Sequence, residues 1–167
     1  LLHDATHDET YNKDAITIVC IGQNTSDTIH VEPAGTLPEL VGDKEAIVNL
    51  TLTGYLNGTD IKFIRSLTNL QRLDISGARI VEGGDKYYEN YLTADDVTGD
   101  YMFYNLPNLT RLVLSNHTTE IAPAALNSCT GLTEMEIPAS VKSVGKAVFN
   151  GCNQLLLIDW NAQATIT

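Results

Sequence analysis

Residues 132–155, LTEMEIPASVKSVGKAVFNGCNQL, decide the fold, because their apolar pattern recurs along the chain every 23 residues. The first column of this pattern consists of Ile47, Leu70, Leu109, Leu132 and Leu155. Self-similarity at a fixed period of about 20 to 50 residues is typical of repeat proteins, in which stacked units share one continuous core. The sequence therefore predicts a solenoid.

Four further apolar columns keep the same period. They contain Leu50, Leu73, Leu112, Met135 and Ile158; Leu52, Ile75, Leu114, Ile137 and Trp160; Val41, Ile64, Phe103, Leu126 and Phe149; and Leu67, Leu106, Cys129 and Cys152. The period breaks once, between Ile75 and Leu114, which are 39 residues apart. We therefore expect five units of about 23 residues over 37–167, with an insertion near 81–100.

The two halves of a unit have different periodicities. Around Leu112, apolar and polar residues alternate as in a half-buried strand, whereas residues 147–155 space their apolar side chains by three, as in a short helix or 3₁₀ turn. This pattern predicts an α/β solenoid, right-handed, with a parallel sheet on one face and short helical or 3₁₀ turns on the other.

The residues before the repeats predict a flexible tail over 1–14 and a β-hairpin cap over 15–36, with strands at 15–21 and 28–32. Because Ile29 precedes Leu52 by 23 residues, the second strand of the cap is expected to begin the solenoid sheet. At the other end no polar cap follows the last strand. We expect either that the natural polypeptide continues or that its last unit is covered in another way.

Residues 106–114, LPNLTRLVL, and 67–75, LTNLQRLDI, resemble leucine-rich repeats of the LxxLxxLxL kind. Residues 132–155 are similar to the BspA-like subtype, whose unit reads Lxx(I/L)x(I/L)Pxx(V/L)xx(I/V)GxxAFxxCxxL. The resemblance implies a bacterial, secreted or cell-surface protein that adheres to host or matrix proteins. It also implies surface attachment, for which lipid anchoring through a removed N-terminal signal is one mode.

Composition excludes several classes of function. The chain has 10 Lys and Arg against 21 Asp and Glu, a formal net charge of −11, which disfavours nucleic acid as a partner. No apolar run approaches the roughly 18 residues of a membrane helix. No catalytic or cofactor motif is present, so we predict neither an enzyme nor a cofactor. His3 and His7 have the spacing of a metal pair, but a flexible tail does not preorganise ligands, so no metal is expected.

The outward strand positions form rows across the predicted concave sheet, because equivalent residues of neighbouring strands lie about 4.8 Å apart. The candidate binding residues in these rows are Thr51, Arg72, Asp74, Arg111, Val113, Glu134, Glu136 and Asp159. Arg72 and Arg111 are expected to pair with Asp74 or Glu134. These rows are either an ordinary solvated face or the surface that binds a protein or glycan ligand, such as a component of the host matrix.

The insertion contributes a second set of candidates, Tyr87, Tyr88 and Tyr91, because tyrosine combines apolar area with a polar tip and suits recognition. The same tyrosines could instead pack the insertion against the solenoid, as we expect for Tyr101 and Tyr104. Cys129 and Cys152 share a column and come near disulfide reach, although buried thiols are the favoured state.

Two hypotheses of function follow. The first is an extracellular leucine-rich-repeat binding module of a bacterial surface protein that mediates adhesion. The second is a structural spacer within a larger surface protein, without a ligand of its own. The sequence does not identify the ligand, because fold and partner are nearly independent in solenoids.

Overall fold

A computed structural model of the protein describes residues 26–166 and contains two parallel sheets and an antiparallel hairpin. The large sheet, in spatial order, comprises β1 (Ser26–Val31), β2 (Asn49–Leu56), β3 (Arg72–Ile80), β7 (Arg111–Val113), β9 (Glu134–Ile137) and β11 (Leu157–Trp160). The small sheet comprises β6 (Val97–Thr98), β8 (Glu120–Ile121), β10 (Ser143–Val144) and β12 (Thr165–Ile166). The hairpin is β4 (Gly83–Tyr88) and β5 (Tyr91–Thr93). The predicted tail over 1–14, the strand over 15–21, His3 and His7 lie outside the described residues.

The 23-residue period sets the strand register. Ile29 faces Leu52 in the β1–β2 pair, and Leu112 faces Met135 in the β7–β9 pair. The β2–β3 pair deviates from Thr53 to Leu56, since Thr53 faces Gly77 where the repeat spacing predicts Ser76, and the next three pairs are shifted in the same way. β3 carries one extra residue between Asp74 and Gly77, a β-bulge that shifts the pairing by one residue.

The predicted apolar columns form the core between the two sheets, except in the last unit, where Trp160 is 38% exposed. Leu50, Leu73 and Leu112 are each no more than 1% exposed, and Ile64, Phe103 and Leu126 are completely buried. Burial of one such side chain contributes about 1.5–3 kcal/mol. A single unit has no second layer to cover its column, so the core exists only because neighbouring units stack.

Helices occur only in the first two units of the described chain. They are α1 (Leu37–Leu40), a 3₁₀ turn at Lys44–Ala46, and α2 (Gly58–Arg65). The later units have single turns at these positions, closed by hydrogen bonds of the 3₁₀ type such as Asn150 N–H to Ala147 O, so of the two alternatives predicted for 147–155 the structure has 3₁₀-type turns and no helix. Two left-handed residues per unit interrupt any helix there. They are Tyr101, Ala124 and Ala147, and four residues later Asn105, Ser128 and Gly151.

A buried carboxylate joins the first two units. Asp60 of α2 is fully buried and accepts N–H groups from Gly35, in the turn before α1, at 2.6 Å and from Leu37, the first residue of α1, at 3.0 Å. It also accepts the N–H of Asn57 at 2.9 Å, which completes the capping box at the start of α2. This one side chain therefore ties the first turn of α2 to the preceding unit.

The insertion is the β4–β5 hairpin, packed on the start of α2. A Cβ on Gly58 would lie 1.8 Å from the carbonyl oxygen of Asp85, so only glycine allows this approach. Lys62 and Asp85 form an ion pair at 2.8 Å across the same contact. From Val97 the regular period resumes, since Val97 faces Glu120 in the small sheet.

Candidate functional site

The outer face of the large sheet, here called the sheet face, carries two aligned rows of side chains. The first row contains Asn49, Arg72, Arg111, Glu134 and Leu157, and the second contains Thr51, Asp74, Val113, Glu136 and Asp159. The structure thus brings together all eight sheet residues that the sequence singles out. They point outward because the alternate residues, such as Leu50 and Met135, are buried in the core.

The charges on the sheet face are unevenly paired. Arg111 donates to Glu134 at 2.8 Å, one of the two pairings expected for it. Arg72 has no ion pair with any described residue, and Asp74 accepts the backbone N–H of Ser76 at 2.9 Å. Val113 is only 9% exposed, so it contributes little area to the face.

A groove of about 350 Å³ lies where β2, β3 and β7 meet on the sheet face. Its lining comprises Asn49, Leu50, Thr51, Arg72, Leu73, Asp74, Arg111 and Val113. The groove therefore combines two cations, one carboxylate and neutral polar groups above an apolar floor. Such a mixture is suited to a polar, charged ligand held in one orientation.

The tyrosines of the insertion form a separate cluster that packs on the solenoid. Tyr87 is 4% exposed and its hydroxyl donates to the carbonyl of Asp100 at 2.8 Å, so it anchors the hairpin and offers no ligand contact. Its pKa is raised, mainly by burial. Tyr88 and Tyr91 are half-buried and stack on each other with ring centroids 6.5 Å apart. Both also contact the ring of Tyr101, and Tyr88 contacts Tyr104.

Arg65, which no sequence motif indicates, holds this tyrosine cluster in place. Its Nη1 donates to the carbonyl oxygens of Tyr101, Met102 and Tyr104 at 3.0 to 3.2 Å. Its guanidinium carbon lies 4.6 Å from the centroid of the Tyr88 ring, within cation–π distance. Burial lowers the pKa of Arg65. The cluster is built on α2, the hairpin and a turn, and its ring contacts do not include the sheet face.

His30 has neighbours that the sequence did not indicate. Its Nδ1 lies 2.9 Å from Oγ1 of Thr53, and its Nε2 lies 3.3 Å from a carboxylate oxygen of Glu32. The side chains of His30 and Glu32 are 62% and 65% exposed. Catalytic hydroxyls are activated by a base held in a shielded pocket. These groups lie instead in open solvent at the first strand of the sheet face.

The two cysteines of the repeat column are buried thiols. Cys129 Sγ donates to the carbonyl of Phe103 at 2.9 Å, and Cys152 Sγ donates to that of Leu126 at 3.2 Å. Burial raises the pKa of Cys129 to about 11 and also raises the pKa of Cys152. A thiol that stays protonated is a poor nucleophile and a poor metal ligand, so both belong to the core.

Within residues 26–166, no three metal-ligating side chains converge. The same part of the chain also lacks any helix with the length and apolar character to cross a membrane.

The architecture defines the class of this protein as a solenoid of parallel strands with a polar, partly open sheet face. Comparison with known families gives the subtype. The family described as BspA type leucine rich repeat region matches residues 96–167 in 6 copies. Residues 96–167 are thus similar to BspA-type leucine-rich repeats, and the fold is a leucine-rich-repeat solenoid.

Two crystal structures are similar to this chain. A leucine rich cell surface protein from Faecalibacterium prausnitzii A2-165 is 15% identical over 70% of this chain and 27% of its own, with a TM-score of 0.45. The leucine rich repeat protein of T. pallidum is 20% identical over 80% of this chain and 62% of its own, with a TM-score of 0.44. This chain thus spans less than two thirds of either protein. No curated protein matches its sequence.

Proposed function

We propose that this chain is an extracellular binding module of a bacterial surface protein, which adheres to a host or matrix protein through the sheet face. BspA-type repeats are typical of bacterial cell-surface proteins, and leucine-rich-repeat domains generally bind proteins. The observation that carries the proposal is the alignment of mostly polar side chains in two rows across five of the six parallel strands. Such a repeated array presents an extended, rigid surface to a partner.

A protein ligand is favoured over a glycan by the chemistry of the groove. Sugars are commonly held by stacking on aromatic rings, and the lining of the groove contains none. The tyrosines of the insertion do not supply such a platform, since Tyr87 is buried and Tyr88 stacks on Tyr91 and on Arg65. Charged groups such as Arg72 and Glu136 suit the polar rim and side-chain contacts of a protein interface.

The proposal is tested by binding of the purified chain to a panel of immobilised host matrix proteins. The triple variant Arg72→Ala, Asp74→Ala, Glu136→Ala is expected to lose binding, because it removes three charged side chains of one face. The matched control Lys142→Ala, Glu82→Ala, Glu120→Ala removes the same charges from exposed positions away from that face. Tyr88→Ala reports separately on the insertion. Equal binding by both triple variants would contradict the proposal.

A structural spacer is the second candidate, and the packing of the insertion favours it. The hairpin departs most from the repeat, and its tyrosines make internal contacts with α2 and the 101–104 turn. A spacer needs stiffness and no ligand. If the chain binds no matrix protein, and the adhesion of cells that display the whole protein survives the sheet-face substitutions, the spacer is the correct function.

A further inference from the structure

Arg72 differs from the other three arginines of the chain. Arg65 donates to three carbonyl oxygens, and Arg79 makes a two-point contact with Asp96 at 2.9 and 2.7 Å. Arg111 is paired with a glutamate. The side chain of Arg72 is exposed and makes no hydrogen bond or ion pair with any described residue. Among residues 26–166, every guanidinium group except that of Arg72 therefore has a hydrogen-bond or ion-pair partner.

The position of Arg72 places this unpaired cation beside a second one. Arg72 faces Arg111 in the β3–β7 pair, and both line the groove of about 350 Å³ on the sheet face. Neighbouring strands are only about 4.8 Å apart, so the two cations repel each other unless an anion lies between them. The charge of Arg111 is offset by Glu134 on β9, the strand that lies away from Arg72. Glu134 does not line the groove, whose own charged side chains are the two arginines and Asp74.

A guanidinium group matches a carboxylate in shape, since it offers two parallel N–H donors to the two oxygens. The carboxylate of Asp74 also lines the groove, and the whole chain has a formal net charge of −11, so a polyanion would be repelled. We propose that Arg72, with Arg111 beside it, binds a single carboxylate, the side chain of an Asp or Glu residue in the protein that the sheet face contacts. This inference rests on the proposed function and adds the chemistry of one contact.

The test uses the capped peptide acetyl-Gly-Glu-Gly-amide and the arginine Nε–Hε signals of the ¹⁵N-labelled chain, of which there are only four. Addition of the peptide at millimolar concentration, where weak single contacts are detectable, is expected to shift the Arg72 signal saturably and the Arg111 signal less. The signals of Arg65 and Arg79 should stay in place. Acetyl-Gly-Gln-Gly-amide, which lacks the charge, should leave all four unchanged.

Variants provide the second half of the test. Arg72→Lys keeps the charge but loses the planar fork, so it should weaken peptide binding severalfold, as read from the Arg111 signal. Lys142→Gln removes one charge outside the groove and should leave the titration unchanged. Absence of a saturable Arg72 shift, or an equal shift with the glutamine peptide, would overturn the carboxylate site.

The two proposals fail in distinguishable ways. If the sheet-face triple variant loses matrix binding while the acidic peptide leaves Arg72 unmoved, the proposed function stands and the carboxylate site is wrong. If the peptide moves Arg72 but the triple variant binds matrix proteins normally, the carboxylate site stands and the proposed function is wrong.

Discussion

The buried carboxylate of Asp60 should be one of the strongest single determinants of stability in this chain. Asp60→Ala removes the acceptor of three backbone N–H groups, at 2.6, 2.9 and 3.0 Å, from a position that is fully buried. An unsatisfied buried N–H costs about 1–3 kcal/mol. The three share one acceptor and do not add independently. We therefore expect a loss of about 4 kcal/mol, a large part of the roughly 5–15 kcal/mol that stabilises a typical domain.

Asp60→Asn separates hydrogen bonding from packing. The asparagine has nearly the same shape but only one acceptor oxygen, so either the bond to Leu37 N–H or the two bonds to Gly35 and Asn57 N–H are lost. An intermediate loss of about 2 kcal/mol is expected. The matched control is Asp43→Ala, because Asp43 is exposed and accepts a single N–H, from Glu45 at 3.0 Å. It should cost no more than about 1 kcal/mol.

Urea unfolding followed by far-ultraviolet circular dichroism measures these losses. With a slope of about 2 kcal/mol per molar urea, the midpoint of Asp60→Ala should fall by about 2 M and that of Asp43→Ala by less than about 0.5 M. Fluorescence of Trp160, the one tryptophan of the chain, reports the same transition from the last strand of the large sheet. Equal midpoints for Asp60→Ala and Asp43→Ala would refute the reasoning, because burial and bond number would then not matter.

Three further predictions concern the tyrosine cluster and the thiol column. Tyr87→Phe loses the bond to the carbonyl of Asp100 and should lower the free energy of unfolding by about 1 kcal/mol in urea titrations. Arg65→Met keeps apolar bulk but leaves three carbonyls without their shared donor. It should lower the free energy of unfolding by about 2 kcal/mol and expose the hairpin to proteolysis. An unchanged digestion rate would argue against the anchoring role. Burial raises the pKa of Cys129 to about 11. The contribution of the protonated Cys129 thiol to the free energy of unfolding is therefore complete below the unfolded thiol pKa of about 8.5. It is lost as the pH rises toward 11, by at most about 1.4 kcal/mol per pH unit. Cys129→Ala should flatten the stability curve between pH 9 and 11, and an unchanged slope would contradict this.

Much of the sheet face followed from spacing alone. In stacked parallel strands, a residue faces its equivalent in the next unit, so the 23-residue period was enough to align Thr51 with Asp74 and Val113 with Glu136. The spacing did not predict the bulge between Asp74 and Gly77, because one extra residue in a strand leaves the period of the later units unchanged. The spacing did not predict the role of Arg65 either, because its acceptors are backbone carbonyls 36 to 39 residues away, which no side-chain pattern reveals.

The sequence by itself determined that the chain is a repeat solenoid, which columns form its core, and which polar residues share one face. These properties depend on periodicity, and periodicity is a local property of the chain. Only the tertiary structure decided that the turns of the later units contain left-handed residues, that Tyr87 is an anchor and that Asp60 ties two units together. It also decided that the Arg72 side chain, alone among the arginines, has no hydrogen-bond or ion-pair partner among the described residues. Each of these depends on which groups from distant units meet in space, where burial and unsatisfied hydrogen bonds outweigh local preference.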